Sequence, residues 1–411
     1  MAKASKTSGS APERQRSRAE YRVADDGGTL FRTFLDVRVG RRREPRQVAI
    51  EGHFRKMTPE LEKEFAHMLA EMLIADYRRR EAAGTVDEPT APSDPTPAPH
   101  TDYVASLSEH LWAYRRGRFA NRDDLFDPKY GALPNPPVFD KDHGDWNVIV
   151  SDDPKQASAV SALIDPKKRH RWFRSMKSSQ ALALSVFGNL KVLGHTDVLT
   201  TVKSDGNGGP AFGQGPIVPD DVILEHEARL PGERTSTSID VLIAGATTVC
   251  VECKLSEAEV GPCSRPQLPP KNTGHCDSAN PVRDGGLTCP LADRGVKYWD
   301  DIPGLVQIEK WKERDSCPML ARYQLVRNIL ASKRPGSSNG HALLIYDARN
   351  PAFWPSRDGV FETLHGDLRD GALLRRCSWQ AILAAINGRE ELRGLVAEIG
   401  FKYGLIPWAG S

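Results

Sequence analysis

Apolar and polar residues alternate most regularly in residues 238–255, which read SIDVLIAGATTVCVECKL. Successive side chains of a β-strand point to opposite faces, so the apolar side chains of Val249 and Val251 share one face. Glu252 and Lys254 then lie side by side on the other face. The sequence therefore predicts two paired strands, joined by a short turn, that hold charged groups together.

Beyond this stretch, the pattern switches between strand-like alternation and helical spacing. The predicted elements are a helix at 178–190, strands at 222–230, 238–244 and 248–255, a helix near 319–332, a strand at 341–346, and helices near 379–386 and 390–403. Residues 256–318 show no regular pattern and are predicted to form an irregular insert. This order predicts an α/β fold with an α-β-β-β-α-β core.

A separate pattern occupies the first part of the chain. Alternating residues at 30–39 and 47–54 predict a β-hairpin, and an apolar stripe at helical spacing in 58–77 predicts a helix that covers it. We therefore expect a small N-terminal β-β-α module at 21–84, preceded by a polar, basic and disordered tail at 1–20.

Proline marks the boundary of this module. Residues 85–101, which read TVDEPTAPSDPTPAPHT, contain too few apolar side chains to build a core and predict an extended linker. Residues 102–411 are expected to form one larger domain. Its core is expected at about 176–405, with the cysteine-containing insert at about 256–318.

Composition narrows the class of protein only slightly. The chain has 411 residues, of which 27% are charged, and a formal net charge of +2, so any affinity for nucleic acid must come from local patches. No run of residues is long and apolar enough for a membrane span or a secretory signal, so we expect a cytoplasmic protein with no membrane partner. Its seven cysteines are then expected to be thiols or metal ligands.

Asp240, Glu252 and Lys254 are the residues of the alternating stretch that suggest chemistry. Cleavage of a phosphodiester needs carboxylates that hold Mg²⁺ or Mn²⁺ against the phosphate, and a lysine can orient the attacking water. If the two strands pair, these three side chains meet. An isolated Glu-x-Lys is a weak motif, however, and a solvated strand face is the ordinary alternative.

The surroundings of these residues resemble a known family. The order α-β-β-β-α-β, with Asp240 followed by the Glu-Cys-Lys of 252–254, is similar to the PD-(D/E)XK nuclease superfamily, which has the restriction-endonuclease-like fold. Residues 178–180 (SSQ) and 323–328 (YQLVRN) extend the resemblance to a bacterial group of restriction endonucleases in that superfamily. Ile239 stands where the superfamily motif often has proline.

The resemblance implies a Mg²⁺- or Mn²⁺-dependent DNA endonuclease of restriction or defence type. Asp240 and Glu252 would hold the metal, and Lys254 would position or activate the attacking water. Many such enzymes are homodimers, and a homodimer stays an open alternative to a monomer. The rival interpretation is a non-catalytic DNA-binding or scaffold protein that has the same fold and a structural zinc module.

The resemblance also points to supporting residues. An acidic residue on the first strand often completes the metal site, and Glu225 and Glu227 share one face of a regular strand, with Glu227 preferred. Gln180 begins the first core helix, while Gln324 and Arg327 lie one turn apart on the helix after the insert. These three are expected to support the site or contact phosphate, with an ordinary polar helix face as the alternative.

A basic run precedes the first core helix. Residues 167–174 read KKRHRWFR and combine cations with two aromatic rings. Five cationic residues of this run are expected to contact the phosphate backbone of DNA, namely Lys167, Lys168, Arg169, Arg171 and Arg174. The alternative is a solvated surface run whose aromatic rings pack inward.

Four cysteines fall in the insert, namely Cys263, Cys276, Cys289 and Cys317. Thiolates gathered in a region poor in apolar residues suggest tetrahedral Zn²⁺ or an iron–sulfur cluster, although no CxxC pair is present. Four unrelated reduced cysteines are the alternative, and the sequence leaves both open.

Overall fold

The computed structural model describes most of the chain after residue 98 and three strands before it. The described residues are 19–23, 29–37, 46–54, 99–130, 135–151, 153–206, 208–234, 236–283, 287–333, 339–354 and 359–407. The chain divides into two compact units, Met1–Thr96 and Pro97–Ser411.

The first unit contains a three-stranded antiparallel sheet. Strand β1 (Ala19–Val23) pairs with β2 (Thr29–Val37), which pairs with β3 (Arg46–Phe54). β2 and β3 form a hairpin, whereas β1 includes two residues that the sequence pattern places in the disordered tail. The helix predicted at 58–77 lies outside the described residues.

A five-stranded mixed sheet forms the centre of the second unit. Its strands, in spatial order, are β4 (Val222–Ala228), β5 (Thr237–Ala244), β6 (Thr248–Cys253), β7 (His341–Tyr346) and β8 (Leu374–Ser378). β4, β5 and β6 are antiparallel neighbours, while β6, β7 and β8 run parallel. The mixed α/β class expected from the sequence is confirmed. The connection from β6 to β7 must cross over, and it contains the insert.

Helices surround this sheet. They are α1 (His100–Arg118), α2 (Pro154–Ser161), α3 (Ser179–Ala183), α4 (Asn189–Leu193), α5 (Tyr298–Leu305), α6 (Ile308–Lys312), α7 (Tyr323–Ser332), α8 (Gly359–Asp367), α9 (Trp379–Asn387) and α10 (Arg393–Tyr403). A π-helical turn at Leu184–Gly188 joins α3 to α4. In the part of the chain that the structure describes, no helix combines the length and the apolar character needed to cross a membrane.

Short 3₁₀ helices occur in the connecting segments. They are Asp123–Leu125, Lys141–Asn147, Pro166–Lys168, Thr196–Thr201, Pro219–Asp221, Arg265–Gln267, Pro351–Phe353, Gly371–Leu373 and Glu390–Leu392.

The helical run from α3 to α4 has recognisable ends. The Ser178 hydroxyl accepts a hydrogen bond from the backbone N–H of Ala181, and Gly194 ends the run in the left-handed conformation.

Two clusters of buried apolar side chains sandwich the sheet. α3, α9 and α10 pack in the first cluster, which also takes Val249 and Val251 of β6. α5, α6 and α7 contribute to the second, which takes Cys250 from the opposite face of the same strand. Residues on both faces of β6 are therefore buried, which is why charged groups near its end are shielded from water.

Two features of this unit differ from the sequence-based expectation. Residues 256–318 are not wholly irregular, because α5 and α6 lie within them and bury Ile302 and Trp311. β8 was not predicted, since adjacent arginines interrupt its apolar pattern. One of them, Arg376, is nevertheless only 5% exposed and donates from Nη2 to Glu362 Oε1 at 2.6 Å.

Gly232 and Gly194 have nearly the same positive φ, 79° and 77° respectively, but different surroundings. Comparing them therefore tests whether the backbone packs closely against Gly232. A Cβ at residue 232 would lie 1.7 Å from the carbonyl oxygen of Gly295, whereas a Cβ at residue 194 would meet no atom within 4 Å. We expect Gly194→Ala to lower the free energy of unfolding by about 1 kcal/mol through backbone strain alone. Gly232→Ala should lower it by about 2–3 kcal/mol more. Urea denaturation measures both, and equal losses would contradict the close approach.

Candidate active site

A cavity of about 790 Å³ opens where β4, β5 and β6 approach the start of α3. The strands and the residues that follow them contribute Glu225, Ser238, Asp240, Cys253, Lys254 and Glu257 to its wall, and the loops before α3 contribute Lys168, His170, Trp172 and Lys177. Carboxylates from the strand region and cations with aromatic rings from the loops before α3 therefore line the same cavity.

The register of the sheet explains why acidic groups meet here. On either side of Glu225, the pairs of β4 with β5 are Leu224 with Val241 and His226 with Ile239. Glu225 thus lies opposite Asp240. The register of β5 with β6, extended by one residue beyond the pair Val241 and Val251, sets Asp240 opposite Glu252. Three carboxylates consequently lie at one level across three neighbouring strands.

Glu225 interrupts the regular alternation of β4. Its φ is +48°, a conformation that non-glycine residues seldom adopt, and its side chain is buried. Gln180 Nε2 and Ser238 Oγ each donate a hydrogen bond of 2.5 Å to its carboxylate. Burial raises the pKa of Glu225, although these two donors oppose the shift.

Glu227 has different surroundings. Its side chain is 53% exposed, does not line the cavity, and lies 3.2 Å from Lys168 Nζ. The structure therefore places Glu225, and not the expected Glu227, beside Asp240. The expectation assumed an unbroken two-residue period, which the positive φ at Glu225 breaks. Gln180, in contrast, contacts the acidic group as its predicted supporting position requires.

Asp240, on the central strand of the three, is held by the backbone of β6. Its Oδ2 accepts a hydrogen bond of 2.7 Å from the backbone N–H of Cys253. Burial raises the pKa of Asp240 well above its ordinary value, and the nearby charge of Glu252 raises it further. The charge of Glu252 thus opposes the ionisation of Asp240.

Glu252 and Lys254 lie side by side, as the alternation predicts. Lys254 Nζ is 2.8 Å from Glu252 Oε1, and the two side chains are 13% and 8% exposed. Burial alone would lower the pKa of Lys254, but the charges of Glu252, Glu257 and Asp240 outweigh it and raise the pKa above its ordinary value. Lys254 is therefore a permanent cation at neutral pH and can donate hydrogen bonds but cannot accept a proton.

Helix α7 approaches Glu252 from the other side. Gln324 Nε2 donates to Asn328 Oδ1 at 3.1 Å, and Asn328 Nδ2 donates to Glu252 Oε2 at 3.1 Å. Asn328 was missed in the sequence, although it lies four residues after Gln324 on the same helix face. Gln324 therefore acts on the site through Asn328.

Arg327 faces away from Glu252. Its Nη2 pairs with the buried carboxylate of Glu233, and its Nε donates to the hydroxyl of Tyr298 at 2.9 Å. These contacts join α7 to α5 and to the loop after β4. The expected contact of Arg327 with the site is not made, because Glu233, in the loop after β4, pairs with its guanidinium.

A second contact missed in the sequence fixes the start of α3. Ser179 Oγ donates to Glu257 Oε1 at 2.7 Å, and Glu257 Oε2 accepts from the backbone N–H of Leu255 at 2.7 Å. Glu257 therefore connects α3 to the segment that follows β6. No pattern in the sequence distinguishes it from an exposed loop acid.

Two arginines of the basic run are engaged within the protein. Arg169 Nη1 lies 2.6 Å from Asp145 Oδ1, and Arg174 Nη1 lies 2.7 Å from Asp127 Oδ2. Arg174 also donates to the backbone carbonyl of Phe139 at 2.7 Å. Both guanidinium groups hold neighbouring loops together, so the expected role in DNA contact does not fit them.

The remaining cations of the run face solvent. Lys167, Lys168 and Arg171 are exposed, and Lys168 lines the cavity together with His170 and Trp172. The run therefore divides, with part of it stabilising the loops and part of it presenting positive charge beside the carboxylates. Among the five predicted DNA contacts, these three keep a geometry that suits the prediction.

The carboxylates fit a hard divalent cation in their chemistry. Mg²⁺ and Mn²⁺ prefer oxygen ligands, and Mg²⁺ is commonly held by only one or two carboxylates. Asp240 and Glu252 are such a pair, and their mutual repulsion is the kind that a cation relieves. Within the described ranges, no group of three or more His, Cys, Asp or Glu side chains is already arranged around a metal position.

The repulsion at Asp240 predicts an unusual effect on stability. The pKa of the Asp240 carboxyl is higher in the folded protein than in the unfolded chain. Its contribution to the free energy of unfolding is therefore fully present at pH values below the unfolded pKa, and it is lost as the pH rises through the folded pKa. Asp240→Asn removes the charge but keeps an oxygen for the Cys253 N–H. In chelator at neutral pH, we expect the melting temperature to rise by about 2–4 °C, which corresponds to about 1 kcal/mol.

Asp301→Asn is the matched control, since Asp301 is exposed. It should leave the melting temperature unchanged. The gain from Asp240→Asn should shrink in acid, where the wild-type carboxyl is also protonated. A lower melting temperature for Asp240→Asn at neutral pH would show that Asp240 is not under electrostatic strain.

Comparison with known protein families matches residues 156–404 to the family described as restriction endonuclease associating with ARP. The match spans β4 to β8 and includes Asp240, Glu252 and Lys254. No curated protein and no solved structure matches the chain. Because the matched region is more than half of the 411 residues, the protein belongs to the family of restriction endonucleases associating with ARP.

Proposed function

We propose that the protein is a Mg²⁺-dependent DNA endonuclease of restriction or defence type, with an active site of the PD-(D/E)XK kind. The observation that carries the proposal is that Asp240 and Glu252 lie opposite each other on neighbouring strands, with Lys254 Nζ 2.8 Å from Glu252 Oε1, beside a large cavity. Family membership supports it independently, because the family is named for restriction endonucleases, which act on DNA.

Asp240 and Glu252 are the proposed metal ligands. A bound Mg²⁺ or Mn²⁺ would neutralise charge on the scissile phosphate and lower the pKa of a coordinated water. Both carboxylates are held in place before binding, Asp240 by the Cys253 N–H and Glu252 by Asn328. Glu225, opposite Asp240, is the proposed third acid, kept in position by Gln180 and Ser238.

Lys254 has the proposed role of orienting the attacking water and stabilising the transition state. Its Nζ is held 2.8 Å from Glu252, and its raised pKa keeps it protonated. A protonated lysine can donate a hydrogen bond to a water or a phosphate oxygen as negative charge develops there. In-line attack would leave a 5′-phosphate and a 3′-hydroxyl, as the resemblance implies.

The loop residues that line the cavity suit a nucleic-acid backbone. They include Lys168, His170, Trp172 and Lys177. Exposed lysines attract phosphate without requiring a base sequence, and an aromatic ring can pack against a sugar or a base. The cavity therefore combines groups that suit phosphate contact with carboxylates.

Purified Asp240→Asn and Lys254→Met should lose plasmid cleavage in Mg²⁺ or Mn²⁺ by about 100-fold or more, because each removes a group that acts on the transition state. DNA binding, measured by gel shift, should survive in both. Asp301→Asn is the control and should cleave normally. Undiminished cleavage by either active-site variant would contradict the proposal.

A cleavage assay with the wild-type protein distinguishes a nuclease from a non-catalytic scaffold. Incubation with unmodified and modified plasmids, single-stranded DNA and RNA, in each divalent metal, should produce nicks in at least one substrate. Binding without nicking across this whole panel would favour a non-catalytic DNA-binding protein.

Variants of two neighbouring residues of α7 distinguish an effect on the position of Glu252 from an effect on folding. Asn328→Leu removes the donor to Glu252 and should lower kcat about 10-fold while raising the Mg²⁺ concentration needed for half-maximal cleavage. Arg327→Met leaves Glu233 buried without its partner and should lower the melting temperature. Its kcat and Mg²⁺ dependence should stay within about two-fold of the wild type, since Arg327 makes no contact with Glu252. Identical metal dependence in both variants would refute the positioning role of Asn328.

A further inference from the structure

The four cysteines of the insert are brought together by backbone contacts at the start of α7. The N–H of Cys263 donates to the carbonyl of Leu320 at 2.7 Å, which places it beside the turn that begins at Cys317. The N–H of Cys317 in turn donates to Ser278 at 2.8 Å, two residues after Cys276. Three cysteine-bearing segments that are distant in sequence therefore lie next to one another.

Cys289 joins this group from the fourth segment. The N–H of the preceding residue, Thr288, donates to the carbonyl of Pro281 at 3.2 Å, which folds the loop back towards Cys276. Cys289 and Cys317 also pack against the second apolar cluster. All four thiols are free and only partly buried. The insert thus gathers its cysteines without joining them by disulfides.

Backbone N–H groups that follow the cysteines in the chain act on three of the four sulfur atoms. The backbone N–H of Ser278 donates to Cys276 Sγ at 3.3 Å. At Cys263 and Cys317, the backbone N–H groups of Arg265 and Met319 lower the thiol pKa and so oppose the effect of burial. In each case the donor lies two residues after the cysteine. An N–H aimed at sulfur stabilises a thiolate more than a thiol, so this turn suits a metal ligand.

The thiols also affect one another electrostatically. Burial raises the pKa of Cys263, and the neighbouring Cys289 and Cys276 raise it further. Burial raises the pKa of Cys317 to about 12, and the three other thiols of the group add to this shift. In the described residues, however, no three ligand side chains already stand at the spacing of a bound ion. The sulfur atoms are near one another but not closed around a point.

We propose that Cys263, Cys276, Cys289 and Cys317 bind one thiophilic metal centre, either a zinc ion or an iron–sulfur cluster, that holds the insert against α7. On binding, each thiol releases its proton to solvent and the sulfur becomes a thiolate ligand. A segment of about this length with little regular structure gains much of its order from such a centre. This site is separate from the proposed Mg²⁺ site and does not depend on cleavage.

The centre would also fix the helix that supports Glu252. The carbonyl of Gly261, two residues before Cys263, accepts from the N–H of Gln324 at 3.1 Å. Gly261 has a φ of +109°, and a Cβ there would lie 2.8 Å from Gln324 Cβ. The segment that carries Cys263 therefore contacts Gln324, which begins the series of hydrogen bonds through Asn328 to Glu252.

The test uses the full chain, purified anaerobically without chelator. Zinc, iron and acid-labile sulfide are quantified, and the visible absorption spectrum is recorded. We expect either stoichiometric zinc without visible absorption, or iron and sulfide with the charge-transfer absorption of a cluster. Cys263→Ser and Cys317→Ser should each lower the bound metal several-fold. Cys377→Ser, which changes a buried cysteine of β8 outside the group, should retain it.

A second measurement covers variants that fail to fold. Alkylation of the native wild-type chain should modify up to four more thiols after chelator or acid has removed the metal than before, and the melting temperature should fall. The proposal is overturned if the chain binds neither metal after anaerobic incubation with zinc, or with ferrous iron and sulfide. Equal metal binding by a chain with serine at all four positions would overturn it as well.

Discussion

Electrostatic repulsion among carboxylates that the sheet forces together is the constraint on which the site depends. Glu225, Asp240 and Glu252 lie at one level of β4, β5 and β6 because the strand register puts them there. Burial and mutual repulsion oppose ionisation at Asp240. Packing on both faces of β6 holds the arrangement together. The fold thus holds carboxylates in a repulsive arrangement, and a bound cation would reduce the repulsion between them.

The cations of this domain divide into two groups according to their partners. Arg169, Arg174 and Arg327 each pair with a carboxylate inside the protein and stabilise its loops and helices. Lys168 and Lys177 line the cavity instead, and the carboxylate that Lys168 contacts, that of Glu227, is exposed. Arginine suits the first role because its planar guanidinium satisfies several acceptors at once, whereas lysine presents a mobile point charge.

Helix α7 connects the two chemically distinct parts of the domain. One face carries Gln324 and Asn328, which lead to Glu252, and its first turn contacts the cysteine-bearing insert through Gly261. Arg327 fastens the same helix to Glu233 in the loop after β4. Order in the insert and the geometry at Glu252 are therefore linked through a single helix, over a path of packed side chains and hydrogen bonds.

The sequence by itself determined the mixed α/β class, the strands that carry the charged residues, and the proximity of Glu252 to Lys254, because the two-residue period of a strand is a local property. It did not determine that Glu225 would replace Glu227, since a positive φ at one residue breaks that period. Nor could it reveal Asn328, the structural roles of Arg169, Arg174 and Arg327, or the helices within the insert. Those depend on partners far away in the chain, which only the packed tertiary structure brings within hydrogen-bond distance.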